Sequence, residues 1–333
     1  MSDAQAHRNA AVNTVLGPVE SESLGAVAIH ESLLSVVPGA QYAFDISLDQ
    51  AEIFEKISAK LRAFKAAGGS TVVDATGMFH GRDLPLLEAL ARSTGVNIIA
   101  STGMGPEENL GGYFLTPQTN PPTPWPAEKF ADLLGQEITE GMVVPRLERR
   151  APAGLVISEA DRSGITPTEV SLFKGSARAA LAGGLALSIR WGADALAELD
   201  HVLTEGIPAD RVIVADLDRT DAVAAGIPAK VAARGAYVAI DHVGQNVDGF
   251  IDDAARVALV VELIAAGHAN RILLSSNAIG YAAGCDPVEL PFEYVLTTFV
   301  PALKAAGVAD QDVNRILVDN PREVLTVRAK KTA

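Results

Sequence analysis

The chain has 333 residues, 48% of them hydrophobic and 20% charged, and a net charge of −14. A chain this long and apolar can bury a large core, and an acidic surface repels phosphate backbones, which argues against nucleic acid as a partner. One cysteine, Cys285, provides no disulfide framework, and residues 1–9 are polar with no apolar signal region, so a cytoplasmic location is expected. No apolar run is long enough to span a bilayer, and no membrane partner is expected.

Short β-rich apolar runs alternate with helical patterns along the whole chain. The runs predict strands at 26–30, 71–75, 97–101, 154–158, 185–189, 212–215, 237–240 and 272–275. They are nearly continuous in apolar residues, as strands covered on both faces are. Between them, Ser47-Leu48-Asp49-Gln50 has capping-box spacing before a helix ending near Gly68. Thr166-Pro167-Thr168-Glu169 joins an N-cap, a proline at the first helical position and a capping glutamate. Further helices are predicted at 82–94, 126–141, 192–206, 219–235, 252–267 and 290–307, most of them stopped by glycine.

Eight strands, each followed by a helix, predict a closed α/β fold, the (β/α)8 TIM barrel. An open doubly wound sheet is the alternative, but no G-x-G-x-x-G follows the first strand. We expect one domain over 1–333, with an N-terminal extension and hairpin at 1–24 and the barrel at 25–325. Residues 116–126 form a loop rich in proline and threonine after the third strand, on the face where barrel active sites lie. Tyr113 and Trp125 in this region are candidates to close over an apolar substrate.

Several segments, in order and spacing, resemble the phosphotriesterase-like branch of the metal-dependent amidohydrolases across most of the chain. They are Thr14-Val15-Leu16-Gly17-Pro18-Val19, Ile29-His30-Glu31-Ser32, Asp74 with Gly81-Arg82-Asp83, Ile240-Asp241-His242, and Tyr294–Pro301 through Asp319-Asn320-Pro321. The resemblance implies an amidohydrolase-like barrel, a homodimer and two divalent metals at the C-terminal strand ends. The family's metal ligands carry over only in part. The first histidine of its His-x-His pair is His30, and the second is replaced by Ser32. The bridging position falls on Ser158, or on Glu159 if the register slips by one. The strand-five histidine falls on Arg190, the strand-six histidine on Asp216 and the strand-eight aspartate on Asn277. A dication needs several converging, deprotonated donors, and a permanent guanidinium charge opposes it. No metal and no other cofactor is therefore expected.

The replacements are polar, so the mouth retains chemistry. Arg190, Asp216, His30, His242 and Asn277 are the catalytic candidates. An arginine stabilises an oxyanion or holds a carboxylate, and imidazole serves as acid or base near neutral pH. Ser158, Glu159, Asp241, Tyr113 and Trp125 are candidates for substrate contact. The leading expectation is a metal-independent hydrolase of a lactone, ester or related carbonyl compound, acting on a small molecule. A metal-free lyase or isomerase working by proton abstraction, and an inactive small-molecule-binding pseudoenzyme, are the alternatives. Asp74 reads as structural, and Cys285 as an inert thiol.

Overall fold

The computed structural model describes residues 10–40, 43, 46–110, 123–144 and 147–328. A two-stranded hairpin, β1 (Ala11–Thr14) and β2 (Gly17–Glu20), precedes the main sheet. Barrel strands follow as β3 (Ala26–Val36), β4 (Gly69–Asp74) and β5 (Asn97–Met104). After a small hairpin, β6 (Val143–Val144) and β7 (Glu148–Arg149), come β8 (Leu155–Glu159), β9 (Leu187–Arg190), β10 (Val212–Ala215), β11 (Tyr237–Ile240), β12 (Ile272–Leu274) and β13 (Ile279–Ala283).

The barrel strands pair in parallel in the order β12-β11-β10-β9-β8-β5-β4-β3-β13. Strands β12 and β13 are two halves of an eighth staff, broken at residues 275–278. The backbone N–H of His30 donates to Ser275 Oγ (3.0 Å), and that of Ser32 donates to the Ala278 carbonyl (3.0 Å), so β3 closes the ring against the break itself. This is the (β/α)8 barrel expected from the alternating pattern.

Val27, Ile29, Val73, Ile99, Leu155, Ile157, Ile213, Tyr237 and Leu273 fill the interior with Val12 of β1. The hairpin covers the N-terminal end of the barrel, where the Val15 N–H donates to the Ile98 carbonyl (2.9 Å). Gly103 has φ +111°, and a Cβ there would lie 1.9 Å from the Ile157 carbonyl oxygen, so the close approach of β5 and β8 requires glycine.

Local chemistry explains most helix boundaries. Thr166 accepts from the Glu169 N–H while Glu169 reaches back to the Thr166 N–H, a complete capping box with Pro167 in the first turn. Before Gln50–Ala66 the cap is Asp49, which accepts from Ala51 and Glu52 N–H, and not Ser47 as the spacing suggested. The predicted helix at 219–235 is two helices, Thr220–Ala224 and Ile227–Ala233. Gly226 sits between them at φ 63° and Pro228 starts the second. The predicted helix at 290–307 begins instead with a π-helical turn, Val295–Phe299, leading into Pro301. Proline lacks the N–H that a regular turn requires at that point. No helix among the described residues is long and apolar enough to cross a membrane.

Candidate active site at the barrel mouth

The C-terminal ends of β3, β8, β9, β10 and β11, with the break in the eighth staff, bring together most of the polar residues singled out by the sequence. His30 lies at the centre, buried. Its Nδ1 is 2.8 Å from Asp241 Oδ1 and its Nε2 is 2.9 Å from Ser188 Oγ. Ionised Asp241 only accepts, and its Oδ2 takes the Asp216 N–H (2.8 Å). Nδ1 of His30 therefore carries the proton, and Nε2 accepts from the Ser188 hydroxyl.

Arg190 bridges two carboxylates. Its Nε donates to Asp216 Oδ1 (3.2 Å) and its Nη1 to Glu159 Oε1 (3.1 Å). Burial opposes its charge, but Asp216, Glu159 and Asp241 outweigh burial and hold its pKa above the usual arginine value. The side chain is 28% exposed, and Nη2 has no hydrogen bond among the described residues. Asp216 is fully buried at φ 56°, and its Oδ2 takes a second guanidinium, Arg162 Nη2 (3.3 Å). Both of its oxygens thus hold arginines, which makes Asp216 an anchor for two guanidinium groups.

A second imidazole faces the first group across the mouth. His242 Nδ1 is 3.3 Å from Asp218 Oδ1, its Nε2 is 3.4 Å from Asn277 Nδ2, and its ring stacks on Phe250 (3.7 Å between centroids). Burial favours a neutral Asp218, yet His242 and Arg256 prevail and hold its carboxyl below the usual range. Arg256, itself fully buried, donates to Asp218 Oδ2 (2.7 Å).

Two buried acids shape the mouth without entering it. Glu31 accepts from Ser275 Oγ (2.7 Å), from Ser276 N–H (3.2 Å) and from Ala278 N–H, and so clamps the break in the eighth staff. Burial pushes its pKa up to about 8 in spite of these donors. Asp74 is raised by burial, against hydrogen bonds from Thr76 and Leu33. It ties β3 to the loop after β4, the structural place expected for it.

Three placements differ from the sequence reading. The Ser158 hydroxyl bonds Ser176 Oγ (2.7 Å) on helix Pro167–Gly183, behind the sheet. Glu159, one residue on, is the side chain that reaches Arg190, because neighbours on a strand face opposite sides. Asp241 is fully buried, where it meets the His30 imidazole and fixes its orientation. Trp125 packs on Phe130 (5.4 Å) with Lys129 over its ring (4.0 Å). Tyr113 lies outside the described residues.

Ser188, Arg162, Glu31 and Arg256 were not singled out. Ser188 carried a readable signal: in Leu187-Ser188-Ile189-Arg190 it shares the face of Arg190. A cavity of about 20 Å³, room for about one water, is lined by His30, Ser158, Glu159, Ser188 and Arg190 among others. A cavity of about 470 Å³ lies beside Leu34, Val36 and the 78–85 segment, and none of the mouth residues lines it.

A profile of the phosphotriesterase family matches residues 10–325. The chain belongs to the phosphotriesterase family. A phosphotriesterase homology protein of Mycobacterium tuberculosis is 28% identical over 94% of this chain and 97% of its own length. An N-acetyltaurine hydrolase of Danio rerio is 26% identical, covering 95% and 98%. A mutant of an organophosphorus hydrolase from Deinococcus radiodurans superposes with a TM-score of 0.80 at 25% identity, covering 94% and 97%.

The binuclear metal centre associated with the phosphotriesterase family does not fit these residues. At the places to which the resemblance assigns its ligands, Glu159 and Asp216 direct their oxygens at the Arg190 guanidinium, and both ring nitrogens of His30 are engaged. Among the described residues no group of three His, Cys, Asp or Glu side chains could hold a metal ion.

Proposed function

We propose that this phosphotriesterase-family chain is a metal-independent hydrolase of a small lactone, ester or related carbonyl compound. The observation that carries the proposal is Arg190: it is fixed between Glu159 and Asp216, lines the small cavity, and has an Nη2 with no hydrogen bond among the described residues. A guanidinium held in this way supplies the positive charge a developing oxyanion needs, at no cost of reorganisation. His30, oriented by Asp241, lines the cavity that Arg190 also lines and receives the Ser188 hydroxyl at Nε2, where it is placed to take a proton. The hydrolase names carried by relatives support the reaction class.

The test is turnover of γ- and δ-lactones and p-nitrophenyl esters by protein stripped with EDTA. Hydrolysis is expected to survive chelation and to place heavy oxygen from labelled water in the acid product. Activity that vanishes with EDTA and returns with zinc overturns the metal-free reading. A product without the label indicates elimination or isomerisation instead.

A further inference from the structure

We propose that Ser188, His30 and Asp241 form a nucleophilic triad in which Ser188 Oγ is acylated by esters of one- and two-carbon acids. The proposal deepens the hydrolase reading and rests on it. The three residues come from β9, from β3 and from the end of β11, and their side chains form one chain of hydrogen bonds. Ser188 Oγ meets His30 Nε2 at 2.9 Å, and His30 Nδ1 meets Asp241 Oδ1 at 2.8 Å. The polarity is the one nucleophilic catalysis requires, because Asp241 can only accept and so leaves Nε2 free to take the hydroxyl proton.

Other buried serines of this barrel are partnered differently. Ser158 bonds Ser176, Ser101 donates to the Asp74 carbonyl and Ser275 donates to Glu31. Ser188 is the one whose hydroxyl, among the described residues, has an imidazole nitrogen as its sole partner. The base is held on its backbone as well, through His30 N–H to Ser275 Oγ. The Asp241 carboxylate is pinned by the Asp216 N–H.

The second observation is the cavity of about 20 Å³ that Ser188 shares with Arg190, Glu159 and Ala75. It puts a guanidinium and a nucleophile on one small space. Room for about one water restricts the acyl group to the smallest, which must still displace the lining slightly, and rejects a long acyl chain. In the first step Ser188 Oγ adds to the carbonyl carbon as its proton passes to His30 Nε2, and Arg190 pairs with the alkoxide. The alkoxide collapses, the C–O bond to the leaving group breaks, and the alcohol departs with the proton from Nε2. Water then adds to the acyl-serine, giving up a proton to Nε2. Breaking the serine ester bond returns that proton to Oγ and releases the short carboxylic acid.

The experiment uses p-nitrophenyl acetate, with p-nitrophenyl octanoate as the size control. Wild type, Ser188→Ala and Ser188→Cys are assayed, acid-quenched during turnover and mapped by peptide mass spectrometry; thermal unfolding confirms that each variant is folded. The expected result is an acetyl group at position 188 in wild type or in Ser188→Cys, a loss of about 10⁴-fold in Ser188→Ala, and little turnover of the octanoate. Wild-type rates in Ser188→Ala overturn the triad and leave the hydrolase reading intact, with water as direct nucleophile. The same holds if the rate falls but no acetyl appears at position 188 in either protein. A wild-type chain that neither hydrolyses the acetate nor becomes acetylated overturns both.

Discussion

His30 and Asp241 are separated by 211 residues and come from strands in different halves of the sheet order, yet Nδ1 and Oδ1 meet at 2.8 Å with both side chains buried. The pair sets the tautomer of the one histidine that borders the small cavity. Replacing Asp241 with Asn keeps the shape but lets the imidazole take the opposite tautomer. We expect kcat/KM for ester hydrolysis to fall by about 10⁴-fold in Asp241→Asn, with the circular dichroism spectrum retained. A loss below tenfold removes His30 from the base role.

Arg190→Ala is expected to lower kcat by about 10²–10³-fold, since an oxyanion partner is lost at the transition state. Stability falls by on the order of 1–3 kcal/mol, because buried Asp216 loses one of its two guanidinium partners and keeps Arg162. Arg190→Lys restores charge without the two-carboxylate fork, so it should recover stability better than rate. Urea denaturation alongside kinetics separates the two effects.

Arg256 and Asp218 are both fully buried. Arg256→Ala leaves Asp218 without its nearest charged partner and frees the Gln245 carbonyl that Arg256 also holds (2.9 Å). The expected cost is about 3–5 kcal/mol, read as a shift of the urea midpoint. His242 is expected to lose its fixed orientation at the same time.

The Glu31 clamp makes stability depend on pH. Burial raises its pKa from 4.5 to about 8, so between those values the folded chain keeps a proton that the unfolded chain releases. The native state binding more protons means that stability is greatest below the unfolded value and is lost as pH rises through the folded one. The effect is on the order of a few kcal/mol. Glu31→Gln, which cannot titrate, should flatten the wild-type slope between about pH 5 and 8 in denaturant titrations. An unchanged slope sinks this account of the clamp.

The sequence displayed the barrel well because its evidence is local. Apolar runs, the Thr166 capping box and glycine stops each act within a few residues. The polar mouth was legible through ordered motifs, and His30, Arg190, Asp216, His242 and Asn277 do gather there. Pairings across the barrel were not legible. Nothing near Glu31 announces Ser275, and nothing near Asp218 announces Arg256. The exchange of Ser158 for Glu159 has a different origin. A continuous apolar strand conceals which of two neighbours faces inward, and only the partner across β8 and β9 decides it.

Asp216 and Asn277 are the two non-glycine residues with positive φ among the described residues, at 56° and 47°. Both stand where a strand hands over to its loop, and the left-handed backbone there tolerates only a short alphabet, chiefly asparagine, aspartate, histidine and glycine. The resemblance assigns a histidine to the first of these positions and an aspartate to the second, and both belong to that alphabet. Moving between a metal-ligating mouth and this guanidinium-centred one therefore leaves these two backbone corners unchanged. A directed-evolution library at positions 216 and 277 can be kept very small, and the residues the resemblance assigns fall within it.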